Sequence, residues 1–161
     1  MFIERRKSKI LSNKNLKNTI NALRQFGKKI VFTNGCFDIL HPGHLKLLKE
    51  AKSFGDILIV GLNSDGSLKL LKGENRPIVK QKDRLVIIAS LKIVDFVIIF
   101  EEETPFNLIK SISPDVLVKG GDYNIDEIVG GDYINQIGGE VKIVKLKEGY
   151  STSKLINNLK K

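Results

Sequence analysis

The only two histidines of the 161-residue chain stand together, at His41-Pro42-Gly43-His44. Two imidazoles just after a strand-like segment and at the start of a helix-like one can do phosphate chemistry. A helix N-terminus offers unpaired N–H groups and a partial positive charge, which suits phosphate. The glycine lets backbone approach a ligand, and the imidazoles can donate hydrogen bonds to phosphate oxygens as charge builds in a transition state. An ordinary helix cap is the competing reading for a lone histidine; the pairing weighs against it. A metal site is disfavoured, because two histidines are too few and no cysteine, glutamate or further histidine stands at ligand spacing.

The elements that position this pair follow from hydrophobic periodicity. Ser12 suits an N-cap, and Leu16, Ile20, Leu23 and Phe26 recur at helical spacing until Gly27. Residues 29–33 read as a first strand. His44, Leu47, Leu48 and Ala51 mark one face of a second helix, ended by Gly55. The continuous apolar run 57–62 predicts a strand covered on both faces. Residues 63–77 read as a loop with a short helical turn at 68–71, and 81–90 as a helix with Leu85, Ile88 and Ala89 inward. Residues 95–100, 115–119 and 141–146 complete five strands. Thr104 reads as an N-cap with Pro105 at the first helical position of a helix over 105–112. Further helices are expected around 132–136 and over 151–159.

Strand and helix alternate throughout, which predicts an α/β, Rossmann-like fold: a five-stranded parallel sheet with helices on both faces. A single domain over 1–161 is expected, with residues 1–27 a helical extension and 28–161 the α/β core. Ligands of such sheets lie beyond the carboxyl ends of the strands, beside the first strand. Gly-Gly-Asp-Tyr occurs at 120–123 and again at 130–133, a spacing too short for a solenoid repeat.

Composition bounds the function. Hydrophobic residues are 42% and charged residues 28%, ordinary for a globular protein. One cysteine, Cys36, forms no internal bridge, and there is neither a membrane-length apolar run nor a signal-like start, so a cytoplasmic location is expected. The net charge of +9 favours polyanions. The lysines are scattered, however, and a solvated lysine-rich surface is the commoner meaning. P-loop, dinucleotide and nucleophile-elbow motifs are absent. A non-catalytic nucleic-acid module is the rival from another class; it lacks an aromatic RNA-binding strand, a zinc motif and a clustered arginine helix.

Residues 33–44 (TNGCFDILHPGH) resemble the signature of the H-x-G-H nucleotidyltransferase superfamily, the cytidylyltransferase-like group. Residues 148–153 (EGYSTS) resemble its second signature. T-N-G-C-F-D at 33–38, N-S-D at 63–65, L-K-G-x-x-R-P at 71–77 and V-K-G-G-D-Y at 118–123 are similar to the D-glycero-β-D-manno-heptose 1-phosphate adenylyltransferase family. The match runs from about Asn15 to Leu159. It implies transfer of AMP from ATP to the sugar phosphate, giving ADP-heptose and pyrophosphate for lipopolysaccharide or related surface glycans. Mg²⁺ would be held mainly through the phosphates. The nearest alternatives change the acceptor, to glycerol 3-phosphate with CTP or flavin mononucleotide with ATP. The partners implied are ATP and a sugar 1-phosphate, with no nucleic acid, no membrane and a homodimer. A monofunctional enzyme or an excised domain is implied, since the family often occurs fused to a sugar kinase.

Carried onto this sequence, the resemblance implies catalytic roles for His41, His44 and Lys72. Nucleotide contacts are implied for Thr33, Asn34, Gly35, Phe37, His41, His44, Lys119, Gly120, Ser151, Thr152 and Ser153. Sugar or phosphate contacts are implied for Asp38, Lys72, Arg76 and Asp122; Asp38 is a candidate for binding the sugar or Mg²⁺, with Asp65 and Asp122 as the other candidates. Lys147 stands where the family often carries arginine, keeping the charge but not the planar fork. Cys36 is read as packing, because this transfer has no use for a thiolate.

Overall fold

The computed structural model describes residues 8–145 and Thr152. Its elements run β1 (Ile10–Leu11), α1 (Asn13–Gln25), β2 (Ile30–Gly35), α2 (Pro42–Ser53), β3 (Ile57–Asn63), α3 (Asp65–Lys72), α4 (Gln81–Ser90), β4 (Phe96–Phe100), α5 (Phe106–Ile112), β5 (Val116–Gly120), a 3₁₀ turn (Ile125–Glu127), α6 (Gly131–Gln136) and β6 (Glu140–Val144). All strands are parallel, in the order β1-β4-β3-β2-β5-β6. From β2 the chain builds outward through β3 to β4, then returns to β5 on the other side of β2. The strand order therefore reverses at β2, where such sheets open a crevice.

Side chains alternate across each strand and so divide the core in two. Val31, Leu58, Val60 and Leu62 face Leu47, Leu48 and Ala51 of α2 and Ile88 and Ala89 of α4. Ile30, Phe32, Ile59 and Ile98 face Leu16 and Ile20 of α1, with Leu108, Ile109 and Ile112 of α5 and Ile134 of α6. Both faces of the sheet are covered, as its continuous apolar runs require. Three aspartates tie the opposite end of the sheet. Asp56, Asp95 and Asp115 accept the backbone N–H of Lys29, Leu58 and Ile30 at 2.8, 2.7 and 2.7 Å.

Four expectations are corrected. The sheet has six strands rather than five. The segment before residue 28 is no mere helical extension, since Ile10 and Leu11 pair with Val97 and Ile98 at the edge of the sheet. The turn at 68–71 belongs to an eight-residue helix: the Ser64 side chain accepts the Ser67 N–H at 3.1 Å, and Gly73 ends the helix with φ +93°. Pro105 is the cap of α5 rather than its first residue. In addition, Phe26 follows the last turn of α1 and is 78% exposed rather than packed. The expected helix over 151–159, with Ser151, Ser153 and Lys147, lies outside the described residues apart from Thr152. Among the described residues no helix is long and apolar enough to cross a membrane.

Candidate active site

A cavity of about 520 Å³ opens at the carboxyl ends of β2, β3 and β5. Asn34 and Gly35 enter it from β2, Asn63 from β3, and Lys119 and Gly120 from β5. His41 and His44 enter it from the start of α2. Lys72, Arg76, Phe37 and Thr152 complete the set of expected residues that reach it.

The histidine pair is built by its local sequence. His41 is the extended N-cap of α2 and Pro42 opens the helix, where a missing N–H costs nothing. The His44 N–H returns to the His41 carbonyl at 2.9 Å, which brings the two rings to one side. They stack with centroids 3.7 Å apart and planes inclined 22°. Phe37 closes over His44 at 5.0 Å. Its backbone has φ +44°, a region that bulky L residues rarely occupy, and a Cβ at Gly35 would come within 3.0 Å of its ring. Burial, with His41 beside it, pushes His44 down to about 4, weakly opposed by the Ile39 carbonyl; burial also lowers His41. Both rings are therefore neutral near pH 7, each with one N–H to donate.

The cations stand around this pair. Lys119 donates from Nζ to Asn34 Oδ1 at 2.7 Å, and burial pushes it down to about 8. A lysine so desolvated favours an anion beside it. Lys72 is exposed at the end of α3, where its mobile charge reaches the cavity. Arg76 is held by Asp38. Cys36 is half-buried against Asn63, and burial raises its thiol, so it is no ready nucleophile.

The acidic candidates behave differently. Asp38 is buried and accepts Arg76 Nε at 2.6 Å and the N–H groups of Ile78 and Val79 at 2.9 and 2.8 Å. Burial alone would raise its carboxyl, but these donors outweigh it and hold it below the ordinary value. Its oxygens are taken up by these partners, which ties the Arg76 loop to the turn after β2. Asp122 is exposed and outside the cavity lining. Asp65 accepts the Gln81 N–H at 2.8 Å and Arg84 Nη2 at 2.8 Å. Thr33 is wholly buried within β2 and is not among the residues that line the cavity.

Sequence reasoning missed Asn63, Glu103, Thr104 and Tyr123, which also line the cavity, and Arg84 beneath it. Arg84 precedes Ile88 by one helical turn, so its place on an inward face was available as a signal. Tyr123 folds back over Gly121, where an added Cβ would lie 2.6 Å from its ring.

The family model described as cytidylyltransferase-like matches residues 32–158. The chain belongs to the cytidylyltransferase-like family. Among relatives of this cytidylyltransferase-like chain, the "Bifunctional protein HldE" of Aliarcobacter butzleri is 60% identical over 137 residues, covering 85% of this chain and 28% of that protein. The protein of the same name from Wolinella succinogenes is 52% identical over 151 residues, covering 94% and 31%. The chain thus spans about a third of the length of these curated relatives. The crystal structure of the lipopolysaccharide core biosynthesis protein from Thermoplasma volcanium has a TM-score of 0.63 at 37% identity, covering 78% of this chain and 100% of that one. A pantoate-beta-alanine ligase from Francisella tularensis reaches the same TM-score at 20% identity, covering 89% of this chain and 68% of that one, which shows a shared fold.

Proposed function

We propose that this chain transfers the adenylyl group of ATP to D-glycero-β-D-manno-heptose 1-phosphate, releasing pyrophosphate and ADP-heptose. The observation that carries the reading is the stacked His41–His44 pair at the N-terminus of α2, opening into a cavity ringed by Lys119, Lys72 and Arg76. An oxygen of the sugar phosphate attacks the α-phosphorus of ATP in line. The bond from that phosphorus to the bridging oxygen breaks, and pyrophosphate carries off the electron pair. Such a transfer needs positioning and charge neutralisation more than an acid or base.

His44 donates to the α-phosphoryl oxygens and His41 to a neighbouring phosphate. Lys119, Lys72 and Arg76 offset the remaining charge. Mg²⁺ enters with the substrate, as MgATP. Among the described residues no group of three or more carboxylate, histidine or cysteine side chains stands together as a set of metal ligands. The motifs at 71–77 and 118–123 support heptose 1-phosphate as acceptor, and the 37% identity to a lipopolysaccharide core biosynthesis protein supports a role in surface-glycan synthesis.

The test is pyrophosphate release with each of four nucleoside triphosphates against heptose 1-phosphate, glycerol 3-phosphate and flavin mononucleotide. Release with ATP and heptose 1-phosphate is expected. Turnover confined to another acceptor would overturn the substrate assignment, and no release with any pair would overturn the reaction.

A further inference from the structure

Arg84 lies on the inward face of α4 and is fully buried. Its guanidinium meets four acceptors. Nε donates to the Val79 carbonyl at 2.9 Å, Nη1 to the carbonyls of Cys36 and Asn63 at 2.6 and 2.8 Å, and Nη2 to Asp65 Oδ1 at 2.8 Å. These acceptors belong to the turn after β2, the end of β3, the loop before α4 and the first residue of α3. One side chain therefore joins four of the segments that border the cavity.

Two lines of contact run outward from it. The Cys36 carbonyl precedes Phe37, whose left-handed backbone sets its ring against His44. Such a conformation persists only where its surroundings over-determine it, and a hydrogen bond to the preceding carbonyl does so. The second line passes through Val79, whose carbonyl is held by Arg84 and whose N–H is held by Asp38. Asp38 in turn holds Arg76. Burying a guanidinium is costly even when it is paired, and an apolar side chain of similar volume often serves stability as well. The fold keeps a charged, planar fork here although a core filler would close the same space.

We propose that Arg84 is a positioning residue that fixes His44 and Arg76 relative to each other for adenylyl transfer. Its catalytic consequence rests on the function proposed above; its geometric consequence does not. Lysine at this position keeps the charge but has no fork with which to span the Cys36, Asn63 and Val79 carbonyls together.

The experiment compares wild type with Arg84→Lys, and with Ile88→Val as a control that thins the core one turn along the same helix. The chain has two histidines, so ring C–H NMR signals give two histidine titrations in the free protein, without substrate. His44 is pushed down to about 4 by burial in the wild type. In Arg84→Lys its midpoint is expected to rise towards the ordinary value of 6.5, as the Phe37 ring loosens. The value of kcat should fall roughly 10²-fold, with a smaller change in KM for ATP. Ile88→Val should lower the unfolding temperature while leaving the titrations and kcat in place. A folded Arg84→Lys with wild-type titrations, and with kcat no lower than in Ile88→Val, overturns the proposal. Should Arg84→Lys fail to fold, Asp65→Ala removes one partner of the fork and is judged by the same two readings. A wild-type protein that releases no pyrophosphate would overturn the adenylyl-transfer reading and leave the titration comparison to decide the geometry.

Discussion

Arg76 reaches from the loop after α3 to Asp38 in the loop after β2, and the two meet Nε to Oδ2 at 2.6 Å. The Asp38 side chain is wholly shielded from solvent and that of Arg76 is 13% exposed. The pair therefore sets where the Arg76 loop stands against the histidines, and its two members are not independent. Asp38→Asn places an amide N–H₂ among donors. It should cost about 3–5 kcal/mol of stability, the usual penalty for breaking a buried pair, and should raise KM for the phosphate substrates. Arg76→Lys should lose both stability and activity. Thermal unfolding and steady-state kinetics on both variants check this; an Asp38→Asn protein with the wild-type unfolding temperature would contradict it.

In the proposed reaction His44 donates to the α-phosphoryl oxygens, where transition-state charge builds. His44→Ala should lower kcat by roughly 10²–10³, as for loss of one transition-state donor, with a smaller change in ATP affinity. Equal kcat in the folded variant would remove His44 from the mechanism.

Lys119 gives the pH dependence its sign on the alkaline side. Burial pushes it down to about 8, so it is charged below that pH and neutral above it. The value of kcat/KM for ATP should therefore decline as pH rises through about 8. Lys119→Arg should move the decline to higher pH, because arginine stays charged. A pH profile of the two proteins that coincides above pH 8 would rule Lys119 out as its source.

The acid side is a matter of stability. His44 has a folded value of about 4 against an ordinary 6.5. As pH falls between those values, the unfolded chain takes up a proton that the folded protein refuses, so stability drops across that window. Burial lowers His41 in the same direction, and Asp38, held below its ordinary 3.8, extends the loss to lower pH. Urea unfolding from pH 4 to 7 should show the slope, and His44→Ala should flatten it; an unchanged slope would mean that His44 is not buried in its neutral form.

Gly121 carries φ +141° and lies under the Tyr123 ring, whose Cε2 would be 2.6 Å from an added Cβ. Gly121→Ala should cost about 1–3 kcal/mol through the backbone alone and displace the ring from the cavity. Pairing it with Tyr123→Ala should recover only the part due to the clash. A double-mutant cycle with zero coupling would show that the ring does not rest there.

Local patterns made much of this legible. The apolar run 57–62 and the spacing of Leu47, Leu48 and Ala51 predict β3 and the buried face of α2, because periodicity is a property of neighbouring residues. The His41–His44 spacing likewise survives into a stacked pair. β1 was invisible: two residues have no period, and Ile10–Leu11 is a strand only because β4 offers it an edge. A charged loop residue near the histidines, such as Asp38, carries no mark of its partners in the sequence. Those partners, Arg76, Ile78 and Val79, lie far along the chain and are supplied by the fold. The network around Arg84 is hidden from the sequence because its acceptors are mostly backbone carbonyls, which no side-chain pattern announces.

The two outer strands bear on how the protein meets copies of itself. A parallel sheet of this kind ends in rows of unsatisfied N–H and C=O groups that can template another chain. On one side β1 covers β4 with only two residues, too short a ribbon to recruit a partner strand. On the other, β6 carries Glu140 and Lys142, paired at 2.7 Å. A strand docking there would have to strip water from both charges. Among the described residues, the two edges of the sheet are thus built in ways that discourage edge-to-edge pairing with another chain.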